Sequence, residues 1–116
     1  MTHKRVERIG DQIRSEISDM IVRRLNDPRI GFVTITAVEV SEDLRHAKVF
    51  VSVYGDEKAK IQTMEGLKSA SGFIRGEIGH RLKIKFTPDI LFKLDTSMDK
   101  ADEVLSILDE INKGDK

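Results

Sequence analysis

The chain reads as an α+β protein, a three-stranded sheet with helices packed on one face, in the order αββααβ followed by a C-terminal helix. Three observations predict this. Apolar residues recur at spacings of three and four near the N-terminus, in the middle and near the C-terminus. β-Branched or strictly alternating runs lie between those stretches, as strands require. Pro28, Pro88 and the polar segment Ser41–His46 separate one kind of run from the next.

Taken in order, Val6, Ile9, Ile13, Ile17, Met20, Ile21 and Leu25 form one face of a long helix over Lys4–Leu25, with Arg5, Arg8, Glu16 and Asp19 off that stripe. Asn26-Asp27-Pro28 ends it, because proline lacks an amide donor and disfavours helical backbone in the residue before it. Val33–Val40 is β-branched, and its apolar phase slips between Ala37 and Val38, which predicts a bulge or a strand packed on both faces. Ala47, Val49, Val51 and Val53 alternate with Lys48, Phe50, Ser52 and Tyr54 as a half-buried strand. The connection is short enough for antiparallel pairing.

Over Glu57–Leu82, Ile61, Met64 and Leu67, then Phe73, Ile74, Ile78 and Leu82, predict two helical pieces interrupted by Gly66, Gly72, Gly76 and Gly79. A glycine inside a helix costs roughly 0.5 to 1 kcal/mol relative to alanine, so four of them imply that something needs the missing side chains. Ile90, Phe92 and Leu94 alternate as a third strand. Thr96 or Ser97 caps a last helix through Val104, Ile107, Leu108 and Ile111, and residues 113–116 are expected to fray. With 116 residues and no internal repeat or low-complexity linker, the reading is one domain over 1–116 with a core of about 4–112.

Composition narrows function mostly by exclusion. The 39% hydrophobic and 34% charged residues suffice for a core. Without cysteine there is no disulfide framework, thiolate metal site or thiol nucleophile, which fits a reducing compartment, and the cytoplasm is the expected location. No apolar run approaches the roughly 20 residues of a membrane span, and Met1–Arg5 leads into a charged amphipathic stretch, unlike a signal peptide. Twenty basic and twenty acidic residues cancel, but unevenly. Residues 1–93 hold 17 basic and 13 acidic side chains, whereas residues 94–116 hold 3 and 7, so a basic patch beside an acidic terminal segment is expected.

Catalysis and metal binding find no support. His3, His46 and His80 have no ligand spacing. Asp95, Ser97 and Asp99 imitate a calcium loop, but Lys100 stands where glycine is required and Ser106 where the closing glutamate belongs. Gly72-x-x-x-Gly76 lacks the Lys-Ser/Thr that completes a phosphate loop. No cofactor is expected.

The informative element is the glycine-interrupted helix pair. A break at Ser69-Ala70-Ser71-Gly72 would turn the amides of the following helix outward, where a phosphate accepts their hydrogen bonds, with Lys68 and Arg75 supplying counter-charge. KH domains clamp single strands with a helix–loop–helix of this kind through a G-x-x-G loop, so RNA becomes the leading ligand.

At this point the residues themselves carry a resemblance. The element order resembles a type-II KH fold. Asp27-Pro28-Arg29-Ile30-Gly31 with Val33-Thr34-Ile35-Thr36, then Val38-Glu39-Val40-Ser41-x-Asp43-Leu44-x-x-Ala47-Lys48-Val49-x-Val51, and Pro88-Asp89-Ile90-Leu91-Phe92 with Asp95, resemble the ribosome-binding factor A (RbfA) family of bacterial small-subunit maturation factors. That family replaces G-x-x-G by Ala-x-Gly at an interhelical kink, matched here by Ala70-Ser71-Gly72, and carries basic residues where Arg75 and Arg81 stand. The likeness spans roughly Arg5 to Leu108. Gly76-Glu77-Ile78-Gly79 is a literal G-x-x-G, but it lies inside a helix and carries an acid, so it is a decoy. No long basic extension is read after the acidic last helix, so contacts that extended members make with their tails are not expected here.

The resemblance implies a non-enzymatic assembly factor. It would bind the immature small ribosomal subunit and its ribosomal RNA, assist late maturation including the 5′-end region, and matter most in the cold. The expected RNA-binding residues are Lys68, Ser69, Ala70, Ser71, Gly72 and Arg75 at the kink, Arg81, Lys83 and Lys85 extending the surface, and Lys4, Arg5 and Arg8 joining from the first helix. At 5% aromatic residues, phosphate contact should dominate over base stacking. The protein is expected to act as a monomer, away from membranes. Two alternatives stay open: a general single-strand RNA adapter, and a protein-interaction module using Phe50 and Tyr54 on the sheet, a face that the last helix is expected to cover.

Overall fold

The N-terminal apolar stripe becomes α1 (Thr2–Arg23), followed by β1 (Val33–Val40), β2 (His46–Val53), α2 (Glu57–Leu82) and β3 (Asp89–Leu94). These elements come from a computed structural model that describes residues 2–96, with side chains from Arg5 onward. The expected C-terminal helix and frayed tail lie outside the described residues, as does the Lys4 side chain. Among the described residues, the sheet has the order β1-β2-β3. β1 and β2 are antiparallel, whereas β2 and β3 are parallel and so require a crossover, which α2 supplies.

Strand alternation decides where the core sits. Ala47, Val49, Val51 and Val53 of β2 and Ile90 and Phe92 of β3 turn to one face, where they meet Ile13, Ile17 and Met20 of α1 and Leu67, Ile74 and Ile78 of α2. Both helices therefore cover the same face, as α+β layering demands. The opposite face carries Lys48, half-buried Phe50 and exposed Tyr54.

Two details refine the sequence reading. The bulge falls at Thr36, one residue before the phase slip, where the register shifts between Ile35 and Ala37. Thr36 Oγ1 donates to the Phe50 carbonyl at 3.3 Å and to Asp95 Oδ2 at 2.6 Å. The bulge thus ties β1 to β2 and to the residue just past the end of β3 through one hydroxyl. The larger correction concerns the helix pair, because α2 is one continuous 26-residue helix with no break at Ser69–Gly72. Fully burying Leu67, Ile74 and Ile78, at about 1.5 to 3 kcal/mol each, outweighs what the glycines cost.

Candidate nucleic-acid interface

Helix α2 carries the segment expected to form the site. Asp56 caps it, its carboxylate accepting from the Ala59 amide at 2.8 Å. Continuity through Ser69–Gly72 leaves those amides hydrogen-bonded within the helix, so the expected outward-facing donors are absent there. Ser71 Oγ instead donates to the Lys68 carbonyl at 2.7 Å, a local back-bond within the same turn.

The four glycines divide into two pairs. A methyl group at Gly66 would sit 2.7 Å from Ile30 Cγ1, and one at Gly79 would collide with the Thr87 side chain, so these two permit close packing. Gly72 and Gly76 face open space. Lying four residues apart, they continue from exposed Ser69 as a bare stripe of helix backbone. Ala70 is half-buried against the core.

The stripe ends where Thr87 covers Gly79, and the segment carrying Thr87 is pinned at several points. Lys83 closes α2 in the left-handed conformation, φ 52° and ψ 39°. Ile84 packs against the core and Pro88 is fully buried. Arg75 donates from Nε and Nη2 to the Thr87 carbonyl at 3.4 and 3.3 Å and pairs with Asp89 at 3.4 Å.

The β1–β2 hairpin tip closes the other side. The Leu44 amide donates to the Ser41 carbonyl at 2.9 Å, and Leu44 takes a positive φ of 61°. Asp43 Oδ1 accepts from Ser41 Oγ at 2.6 Å and from the Arg45 amide at 3.1 Å. The Ser41 hydroxyl first, and the Arg45 amide second, hold the Asp43 carboxyl below its ordinary value. The Ser-x-Asp-Leu sequence is thus a turn whose geometry fixes Arg45 and His46, and the Asp89 amide donates to the Arg45 carbonyl at 2.8 Å to join the tip to β3.

Between these parts lies a groove of about 910 Å³. Arg5 from α1, Arg75 from α2, Lys83 and Lys85 from the following segment and Arg45 from the hairpin border it, against the carboxylates of Asp43 and Asp89. Five strong cations around two acids make it electropositive. His46 and Phe86 also line it, and Ile9, Leu44, Ile84 and Pro88 add an apolar part to its wall.

Four expected residues therefore converge: Arg5, Arg75, Lys83 and Lys85. Arg45, His46 and Phe86 were missed, although the Ser-x-Asp-Leu turn signal was there to place the first two. Lys68 and Ser71 line a different cavity of about 570 Å³, between α2 and β3, with Ile61, Met64 and Leu91 among its apolar lining. Arg8 is exposed on α1 but does not border the electropositive groove.

Arg81 is turned inward. Its Nη1 donates to Glu16 at 2.7 Å and Asp19 at 3.1 Å, and its Nε to Glu77 at 3.4 Å. Glu16 first, then Asp19, raise its pKa, fixing the charge. It ties α2 to α1. The off-stripe acids of the first helix thereby gain a structural purpose that their spacing alone does not reveal.

A family model described as Ribosome-binding factor A matches residues 5–108. The chain belongs to the ribosome-binding factor A family. Ribosome-binding factor A of Halothermothrix orenii is 51% identical over 113 residues, covering 97% of this chain and 93% of that protein. The Brevibacillus brevis ribosome-binding factor A is 48% identical over 117 residues, covering 100% and 97%. The backbone agrees as well. A Thermotoga maritima protein solved by NMR superposes with a TM-score of 0.69 at 34% identity, covering 77% of this chain and 85% of that one. The crystal structure of ribosome-binding factor A from Thermus thermophilus shares the fold, with a TM-score of 0.66 at 20% identity over 77% and 94% of the two chains. These RbfA neighbours agree with the KH-like α+β arrangement.

Proposed function

We propose that this chain is a non-enzymatic assembly factor of the small ribosomal subunit, holding ribosomal RNA of the precursor particle in the groove bordered by Arg5, Arg45, Arg75, Lys83 and Lys85. The observation that carries the reading is that four separate segments each deliver cations to one groove. A polyanion is the ligand this charge arrangement suits, and phosphate contacts fix register without reading sequence. The bare backbone at Ser69, Gly72 and Gly76 leads toward the groove and lets a sugar–phosphate chain approach closely. Lys68 and Ser71 are neighbours of Ser69 and Gly72 in α2, and Arg81 holds α2 against α1.

Family membership supports the choice of partner. A Thermus thermophilus homology model, 22% identical to this chain, has been fitted into a cryo-electron microscopy map of a 30S–RbfA complex. In this reading the chain works in the cytoplasm as a monomer, and by family resemblance it assists late maturation including the 5′-end region and matters most at low temperature.

The test is sedimentation of tagged protein with small-subunit precursors. The K83E/K85E variant should leave the subunit fraction while still melting cooperatively, within a few degrees of wild type because an anion at the C-terminal end of α2 costs about 0.3 to 1 kcal/mol, and K68E should retain more binding. Normal association of K83E/K85E would remove the groove from the account.

A further inference from the structure

We propose that Phe86 is a platform on which an unpaired RNA base stacks. The inference rests on the reading of the groove as an RNA site and specifies what that site meets beyond phosphate. Phe86 is 77% exposed, yet its segment is pinned by half-buried Ile84 and fully buried Pro88. The ring is thus presented outward from an anchored backbone, which lowers the ordering cost when a ligand covers it.

Its surroundings point to a nucleotide. Lys85 Nζ lies 5.6 Å from the ring centroid, and both residues line the electropositive groove. One nucleotide could therefore engage the ammonium through its phosphate and the ring through its base. The other exposed aromatics, Phe32, Phe73 and Tyr54, lie outside this groove. A base buried in a duplex offers no free face, so the arrangement selects unpaired RNA. Stacking is tolerant of base identity because every base has a π-face.

The test compares wild type, F86A, F86W and K83E/K85E in binding a 12-nucleotide oligoadenylate and an abasic ribose–phosphate oligomer of equal length. Wild type should prefer oligoadenylate. F86A should lose about 5- to 150-fold on oligoadenylate and nothing on the abasic oligomer, and F86W should retain the preference. Equal binding of oligoadenylate by F86A and wild type overturns the proposal, as does a wild type that binds both oligomers alike or neither. Loss of small-subunit binding by F86A with oligoadenylate affinity intact also overturns it, and assigns the ring to a protein contact. If K83E/K85E weakens binding while F86A does not, stacking alone fails. If neither variant matters, the reading of the groove fails as well.

Discussion

Replacing glycines along α2 separates residues the fold needs from residues the surface leaves bare. Gly72 and Gly76 have open space where a methyl group would go, so G72A/G76A should gain the alanine preference at both positions. At roughly 0.5 to 1 kcal/mol each, the double variant is more stable by about 1 to 2 kcal/mol. For a domain of this size, that raises the melting temperature by at least about 4 °C. G66A drives a methyl to 2.7 Å from Ile30 Cγ1, near the root of a side chain that packs against the core. Overpacking typically costs about 1 to 3 kcal/mol, more than the helix gains, so G66A should melt lower. G79A should do the same through Thr87, whose segment is held by Arg75. Calorimetry reads the stabilities and subunit sedimentation reads the binding. The stabilised G72A/G76A variant should bind small-subunit precursors more weakly, because two methyl groups then separate helix backbone from RNA backbone. A lower melting temperature for G72A/G76A would refute the packing argument, and unchanged binding would refute the path assigned to the RNA.

Two further outcomes follow from how the charged side chains are held. R81A should lower the melting temperature by leaving Glu16 and Asp19 without their shared partner, while the salt dependence of subunit binding stays as in wild type; a reduced dependence would place Arg81 on the RNA. Asp27, lowered chiefly by the Arg29 side chain, and Asp43, lowered chiefly by the Ser41 hydroxyl, both have folded-state pKa values below their unfolded ones. Each contributes stability above the unfolded value of about 4 and loses it as pH falls through the folded value. Denaturant titrations from pH 6 downward should show stability declining below about pH 4, and D43N should make that decline shallower. An equally steep decline in D43N would contradict the assignment.

Periodicity made most of the fold legible before any coordinates. The stripe from Val6 to Met20, the alternation of β2 and that of β3 each report burial on one face, and local spacing suffices for that. What spacing could not report was tertiary cause. Gly66 and Gly79 look like helix breakers until Ile30 and Thr87 are placed against them, and the burial of Leu67, Ile74 and Ile78 then explains an uninterrupted helix. The bulge was legible, but its place at Thr36 was not, because the acceptors of that hydroxyl, the Phe50 carbonyl on β2 and Asp95 just past β3, lie far along the chain. At the candidate site, basic residues could be counted but not located. Lys68 and Arg75, seven residues apart, line different cavities, while Arg5 and Arg45, forty residues apart, share one. Glu16 and Asp19 looked like solvated surface because their partner lies more than sixty residues along the chain.

The central claim is electrostatic capture of RNA by five converging cations, and the salt dependence of affinity for small-subunit precursors tests it most directly. If all five meet single-stranded phosphates, log affinity should fall against log salt with a slope of about −3.5, and K83A/K85A should reduce that slope by about 1.4. Affinity that holds steady from 50 to 200 mM salt, or a double variant with the wild-type slope, would contradict the account.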